Sequence, residues 1–181
     1  RSGHAAVLNS RALELVGIHR DSPDPVYGVI ERDGDTGEPT GLLLEMNDYL
    51  EGLIPSLSRD EVEQGVRLFN QRCLAFGITA LQDASQGNSP ERWELFAALK
   101  ERGLLTPSVT LMAGAGQVPR FLGEGLAFGS GRPGLRLGAA KIVLGMTTGG
   151  PHPPREELRR LVTEAHDCGF QVAIHAVEAE A

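Results

Sequence analysis

The sequence predicts an α/β fold assembled from successive βα units, and three observations carry that prediction. Apolar runs begin near positions 78, 107, 137 and 170, with helical periodicity between them. Their spacing, roughly 30 residues, is the length of one βα unit. The last two runs, GLRLGAAKIVL and FQVAIHAV, are almost continuously apolar, as parallel strands buried on both faces are. Four such units fit half of a (β/α)8 barrel or a doubly wound sheet. No GxGxxG follows any run, which weakens the dinucleotide-binding version of the second.

The elements follow in order. Asn9-Ser10 can cap a short helix over Arg11 to Val16, closed by Gly17. Asp21-Ser22-Pro23-Asp24-Pro25 is a loop, because its prolines exclude helix. Val26 to Arg32 and Thr40 to Glu45 are apolar runs around a turn-rich stretch, Asp33 to Pro39, and predict a hairpin. Residues 1–57 therefore read as an irregular, hairpin-bearing insertion ahead of a regular body, residues 58–181. That body opens on the capping box Ser58-Arg59-Asp60-Glu61. Val62, Val66, Phe69, Cys73 and Leu74 recur at helical spacing until Gly77. A strand over Ile78 to Gln82 follows, then a helix from Ser89-Pro90 to Gly103 and a strand over Pro107 to Met112. A short helix over Val118 to Leu126, a strand over Leu135 to Leu144, a helix over Arg155 to Cys168 and a strand over Phe170 to Val177 complete the chain.

The 181 residues are 41% hydrophobic and 23% charged, ordinary for a globular domain with a sizeable core. The net charge of -7 has no basic run to offset it, which argues against nucleic-acid and anionic-membrane partners. No apolar span is long enough to cross a bilayer. Cys73 and Cys168 fall on predicted helices without a CxxC pattern and read as free thiols in a reducing cytosol, so the expected location is cytoplasmic. The chain opens on Arg-Ser-Gly-His and stops after a strand, so both ends read as cuts within a longer sequence.

Four polar groups stand in or just beyond the strands: Asp83, Lys141, His152 and His175. In barrels and open α/β sheets alike the site forms at the carboxyl ends of strands. By period two, Leu137, Ala139, Lys141 and Val143 share one face, and Gln171, Ala173 and His175 share one face of the next strand. Lys141 and His175 lie 34 positions apart, about one unit, and can project from neighbouring strands into one interior. Lys141 has three readings. It can snorkel or pair with a carboxylate; it can be a Schiff-base nucleophile of a lyase; or its neutral amine can take up carbon dioxide and bind metal as a carbamate. His175 can be a hydrogen-bonded core histidine or a metal ligand. His152 lies in the Gly/Pro-rich loop GMTTGGPHPP, where a loop role competes with a direct role. Asp83 can be a second-shell partner or a turn carboxylate. His19 reads as a surface residue, and His166, on a helix beside Asp167, as solvated or packing. No GxSxG elbow or GxxxxGK[ST] loop occurs.

Two stretches are more specific. SGHAAVLNSRALELVGI, Ser2 to Ile18, resembles the (D/S)GH-x-x-x-(V/L)NS-(K/R)AL segment of the amidohydrolase family 3 branch, the N-substituted formamide deformylase-like proteins. AHDCGFQVAIHAVE, Ala165 to Glu178, resembles that branch's AH-x-x-G-x-QVAIHA segment. TGEPTGLLLE, Thr36 to Glu45, is similar to its DGEPTGVLLE hairpin, and FGITALQDA, Phe76 to Ala84, to its GIT strand. The resemblance runs over essentially the whole chain in the family's order.

The resemblance implies a metal-dependent (β/α)8 barrel with a small β-domain, of which this chain would be an internal fragment: the insertion and roughly strands two to five. Lys141 then matches the strand-four lysine, which bridges two metals when carbamylated, and His175 the strand-five histidine ligand. His4 and Asn9 lie in a segment near the substrate mouth and, with His152, become candidate substrate contacts; Asp83 becomes a second-shell residue. The implied activity is hydrolysis of non-peptide amide or formamide C–N bonds by a metal-activated water. The implied cofactors are one or two divalent ions, zinc first, with a carbon dioxide-derived carbamate on Lys141. The partner is a small-molecule substrate, and a homo-oligomer is compatible. Many members follow the lysine with Asp-Gly-Ser-Leu; here Ile-Val-Leu-Gly-Met-Thr-Thr-Gly-Gly follows. The family's other ligands, a His-x-His pair, a later histidine and a terminal Asp, are expected outside this sequence, so the fragment alone is expected to be inactive. A lyase using Lys141 and a non-catalytic binding module are the alternatives.

Overall fold

The computed structural model describes residues 4–55, 57–145 and 150–176, apart from the Asp48 side chain. Ser2 and Gly3 of the first motif, residues 146–149 of the Thr-Gly loop, and Val177 and Glu178 of the last motif lie outside the described residues. Two compact units emerge. The first holds the described residues up to Pro55 with Gly145 and residues 150–152; the second holds Leu57–Leu144 and the residues from Pro153 on. Gly145 and residues 150–152, read from sequence as part of the body, thus group with the N-terminal unit.

The first unit is an antiparallel three-stranded sheet in the order β1-β3-β2, with β1 at Ala5–Val7, β2 at Val29–Arg32 and β3 at Pro39–Leu44. The hairpin of β2 and β3 is the one its turn chemistry predicts. The Asp33 carboxylate accepts from the Thr36 amide at 2.8 Å, the Thr36 hydroxyl at 2.9 Å and the Asp35 amide at 3.1 Å. These bonds, Thr36 foremost, hold its carboxyl below the usual range. Strand β1 falls in the segment read as irregular, and its three residues show no alternation that would announce it. Helix α1, Ser10–Leu15, starts where Asn9 accepts from the Ala12 amide at 2.9 Å. After it, Ile18 joins Ile30, Leu43 and Met46, with Leu50 from the short helix α2 (Asn47–Glu51), in a small core. Gly41 sits at φ +97°, and a Cβ there would lie 2.3 Å from the Leu8 carbonyl oxygen. The same two residues are bonded, Leu8 N–H to Gly41 C=O at 2.9 Å, so β1 approaches β3 as closely as only glycine permits.

The second unit alternates helices and strands: α3 (Arg59–Ala75), β4 (Ala80–Asp83), α4 (Pro90–Glu101), β5 (Ser108–Gly114), α5 (Val118–Gly123), β6 (Gly131–Arg132), β7 (Leu135–Leu144), α6 (Arg155–Asp167) and β8 (Val172–Ala176). Strands β4, β5, β7 and β8 are parallel and neighbour one another in chain order, without reversal. The two-residue β6 runs antiparallel beside the start of β7. Both halves of the expected capping box form: Glu61 N–H donates to Ser58 Oγ, and Ser58 N–H to the Glu61 carboxylate. Helix α3 is tied to the end of α4 by the two-pronged Glu63–Arg102 pair, which holds the Glu63 carboxyl at about 2.

The core lies between the helices and one face of this sheet. Trp93, Phe121, Leu111 and Leu137 are wholly buried there, with Val109, Ala113, Ala140 and Ile142 around them. Of the apolar residues that marked α3 in the sequence, only Cys73 is buried. Leu68, Phe69, Leu74 and, just beyond the helix, Phe76 and Ile78 are exposed, as is Ile174 on β8. Both cysteines are free thiols. Among the described residues no helix is long and apolar enough to cross a membrane.

One correction concerns β7. Leu111 pairs with Leu137 but Ala113 pairs with Ala140, so β7 spends two residues, Gly138 and Ala139, against one on β5. The bulge restarts the alternation. Leu137 therefore lies on the helix-covered face with Ala140 and Ile142, whereas unbroken period two had placed it beside Lys141. Ala139 is half-buried, and Lys141 and Val143 take the opposite face. A Cβ on Gly138 would meet Thr110 Cγ2 at 2.8 Å, so the bulge is built on the residue that fits it.

Replacing Gly41 by Ala is expected to destabilise the protein by about 2 kcal/mol or more, through left-handed strain and the Leu8 clash. Gly34→Ala, where nothing lies within 4 Å of the added Cβ, should stay within about 0.5 kcal/mol. Urea denaturation of the two variants checks the difference.

Candidate functional site

The bulge decides where Lys141 points, and the next strand supplies its neighbour. In the β7–β8 ladder Lys141 pairs with Ala173 and Val143 with His175. Paired residues of a parallel sheet share a face, so Lys141 and His175 are on the same one, opposite the helices. A strand spacing of about 4.8 Å and a two-residue rise of about 6.6 Å put their Cα atoms roughly 8 Å apart. Lysine and histidine side chains on that diagonal can reach a common atom. The expected meeting of the two residues on one face thus appears in the register.

Lys141 is only 8% exposed, and in its strand, whose other charged residue, Arg136, is exposed, it is the one buried charge. Among the described residues no carboxylate pairs with its ammonium. A buried cation without a counter-ion is costly, so this position calls for a negative charge from elsewhere or a change in the lysine itself. Among the described residues no group of three or more His, Cys, Asp or Glu side chains could hold a metal ion. A metal held at Lys141 and His175 would therefore need further donors.

The other sequence candidates lie elsewhere. Asp83 pairs with Leu111 and so takes the helix-covered face, away from Lys141. Its carboxylate accepts from the Ser85 amide at 2.9 Å and from Asn88 Nδ2 at 3.1 Å. Burial works to raise its pKa, but the bonds from Ser85 and Asn88 and the charge of Arg92 outweigh it and hold the carboxyl below the usual range. Asn88 is itself buried, its side chain donates also to the Met112 carbonyl at 3.0 Å, and its backbone carbonyl accepts from the Gly114 amide at 2.9 Å. Asp83 thus anchors the turn that joins the end of β4 to the end of β5.

His152, in the first unit, is exposed and stacks on Tyr27 with ring centroids 3.7 Å apart. Its backbone makes both hydrogen bonds of a bridge to Gly145, at 2.8 and 2.9 Å. Asn9 spends its side-chain oxygen on the α1 cap. The His4 ring nitrogen Nδ1 lies 2.6 Å from the Glu45 carboxylate. Sequence reasoning singled out His4 but missed Glu45, 41 residues away; the available signal was that it ends the TGEPTGLLLE motif.

Comparison with known proteins places these features. The family model described as "Amidohydrolase family" matches residues 1–181. YtcJ of Bacillus subtilis (strain 168) is 30% identical over 196 aligned residues, covering 96% of this chain and 36% of YtcJ. The N-substituted formamide deformylase of Arthrobacter pascens is 41% identical over 96 residues, covering 46% of this chain and 16% of that enzyme. A crystal structure described as an uncharacterized metal-dependent hydrolase from Pyrococcus horikoshii OT3 shares the fold, with a TM-score of 0.63 at 21% identity, over 96% of this chain and 37% of that one. The chain thus spans little more than a third of the length of YtcJ.

Because hydrogen bonds in the fold favour the Asp83 carboxylate over its acid, its stabilisation is present above the ordinary carboxylate range and is lost as pH falls through the lowered folded-state value. Asn88→Ala is expected to move the Asp83 titration upward, followed by carboxyl 13C NMR. It should also cost about 1–3 kcal/mol at neutral pH in denaturant unfolding, a deficit that narrows in acid.

Proposed function

This chain belongs to the amidohydrolase family, and from that premise we propose that it forms part of a metal-dependent hydrolase cleaving non-peptide C–N bonds of the amide or formamide type. The observation that carries this reading is Lys141, a buried cation without a carboxylate partner among the described residues, on the same face as His175. The likeness in fold to a protein described as a metal-dependent hydrolase supports it. So do the parallel strands in unbroken chain order, the arrangement of an arc of a (β/α)8 barrel rather than of a sheet with a switch point.

The donors present suit one edge of a metal site. His175 would offer an imidazole nitrogen. Lys141 would lose one proton to become the neutral amine and add to the carbon of carbon dioxide; a C–N bond forms as one C=O π bond opens onto oxygen, a second proton leaves the nitrogen, and the ammonium is replaced by an oxygen-donor anion. That step also removes the cost of the buried cation. A divalent ion held by these two residues and by ligands from the rest of the protein, zinc being the first candidate, would supply Lewis acidity at the scissile carbonyl and a water of lowered pKa. Val143 and Ala173, beside the two donors, are half-buried and apolar and help keep bulk water from the pair. The substrate is a small molecule. Within the first unit, His4 is the polar side chain proposed to contact it.

Lys141→Ala in the full-length protein is expected to lower kcat/KM on small N-acyl and N-formyl amines by at least about 100-fold, the upper end of the loss when only a residue behind a metal ligand is removed. Wild-type activity should depend on added divalent metal and on bicarbonate. The isolated 181-residue chain, with two donors, should show no metal-dependent hydrolysis. Borohydride trapping of a carbonyl compound on Lys141 would instead favour a Schiff-base lyase and overturn this reading.

A further inference from the structure

The turn that carries β4 into α4 is pinned on both sides and unspent in the middle. Asp83 accepts from the Ser85 amide and the Asn88 side chain, the Asn88 amide donates to the Ser85 carbonyl at 3.3 Å, and the Asn88 backbone carbonyl accepts from the Gly114 amide at 2.9 Å. Between these anchors Gln86 and Gly87 are exposed. Among the described residues the Gln86 main-chain carbonyl accepts no hydrogen bond, from Lys141 or from any other group. It is an acceptor held in place by its neighbours and not used by them.

Gly114 shows where that carbonyl stands. A Cβ on Gly114 would lie 2.2 Å from the Gln86 oxygen and 3.0 Å from that of Asn88. The Gly114 backbone, at φ -58° and ψ 131°, is open to any L-residue, so glycine serves the close approach and not the conformation. Gly114 pairs with Lys141 in the β5–β7 ladder, so a side chain at 114 would point to the face that Lys141 takes. The Gln86 oxygen takes up the room that side chain would need. With about 1.5 Å for the missing bond, the oxygen lies within about 4 Å of the Gly114 Cα. One strand spacing, about 4.8 Å, separates Gly114 from Lys141. The acceptor therefore stands on the lysine side of the sheet, at the carboxyl end of the strand next to it.

We propose that the Gln86 main-chain carbonyl is a substrate contact, accepting the N–H of a secondary amide or N-monosubstituted formamide bound on the Lys141 face. An N,N-disubstituted amide has no such donor and would leave the acceptor unpaired, so the contact discriminates between the two. Gly114 and Asn88 act through the carbonyl, as positioning residues. The substrate class rests on the hydrolase reading above; the place of the acceptor rests on Gly114 and its pairing with Lys141.

The test uses the full-length protein with glycolic acid in place of Gly87. The Gln86–Gly87 amide becomes an ester, which weakens the Gln86 carbonyl as an acceptor and changes no side chain. The Gly87 N–H lost with it makes no hydrogen bond among the described residues, so the thermal midpoint should hold. On an N-monosubstituted formamide kcat/KM should fall about three- to ten-fold, the worth of one neutral hydrogen bond. On the N,N-disubstituted analogue, which makes no such bond, it should change by less than about two-fold. Gly114→Ala, whose Cβ must displace the Gln86 oxygen, should erase the preference for the N–H substrate. Apart from turnover, the 13C NMR signal of the Gln86 carbonyl should move downfield with N-methylacetamide and stay in place with N,N-dimethylacetamide. An ester protein that keeps its preference, or a carbonyl signal that moves with both amides or with neither, would overturn the proposal. So would a signal that shifts in ligand-free Lys141→Ala, since the lysine would then be the carbonyl's partner. A wild-type protein that hydrolyses no amide yet shows the selective shift would overturn the hydrolase reading and uphold the acceptor.

Discussion

The two-against-one step where β7 passes β5 governs what the sheet presents. Upstream of it, Leu135 and Leu137 follow Val109 and Leu111 into the helix-covered core; downstream, Ala140 follows Ala113. Were the extra residue absent, Lys141 would turn into the cluster around Trp93 and Phe121, where an ammonium would be several kcal/mol out of place. Ala140 and Ile142 would meanwhile leave it. The bulge reconciles a largely apolar ten-residue strand with a buried polar group in its second half. Because β8 pairs only with residues 140–144, beyond the step, it inherits the corrected alternation, and His175 faces with Lys141 as a result.

Polar groups in this chain divide by what they hold. Asp83, Asn9, Asp33 and Glu61 each spend their oxygens on nearby backbone amides, ordering a turn or a helix end. Their work is local and complete. Lys141 differs in being buried without an opposite charge among the described residues. That arrangement does not stabilise the fold by itself. A residue that costs stability where it stands is one whose placement calls for a functional cause.

Much of the architecture could be read from the sequence because its signals are local. The Ser58–Glu61 box, Pro90 at a helix start and Gly103 and Gly169 at helix stops each act within one turn. The Asp33 turn fixes its hairpin in the same way. The sharing of a face by Lys141 and His175 was also legible, since two-residue alternation and one-unit spacing need only counting. What escaped was non-local. Strand β1 has three residues and exists through its pairing with Leu42, Leu43 and Leu44. The bulge at Gly138 breaks the count that put Leu137 beside Lys141, and only the partner strand reveals it. The apolar periodicity of α3 predicted burial, yet Phe69 and Leu74 are exposed, because periodicity names a face without supplying what covers it. Asp83 looked equivalent to Lys141 as a strand-end polar group until pairing with Leu111 assigned it to the other side.

The bridge between Gly145 and His152 matters in one more way. Two backbone hydrogen bonds join the ends of the segment, and the Tyr27 ring backs one of them. A segment whose feet are already fastened together adds only a slowly growing entropy cost as it lengthens, about 0.6 kcal/mol per doubling. A change in the number of residues between Gly145 and His152 therefore adds little more than that closure cost, as long as the two-bond bridge is kept.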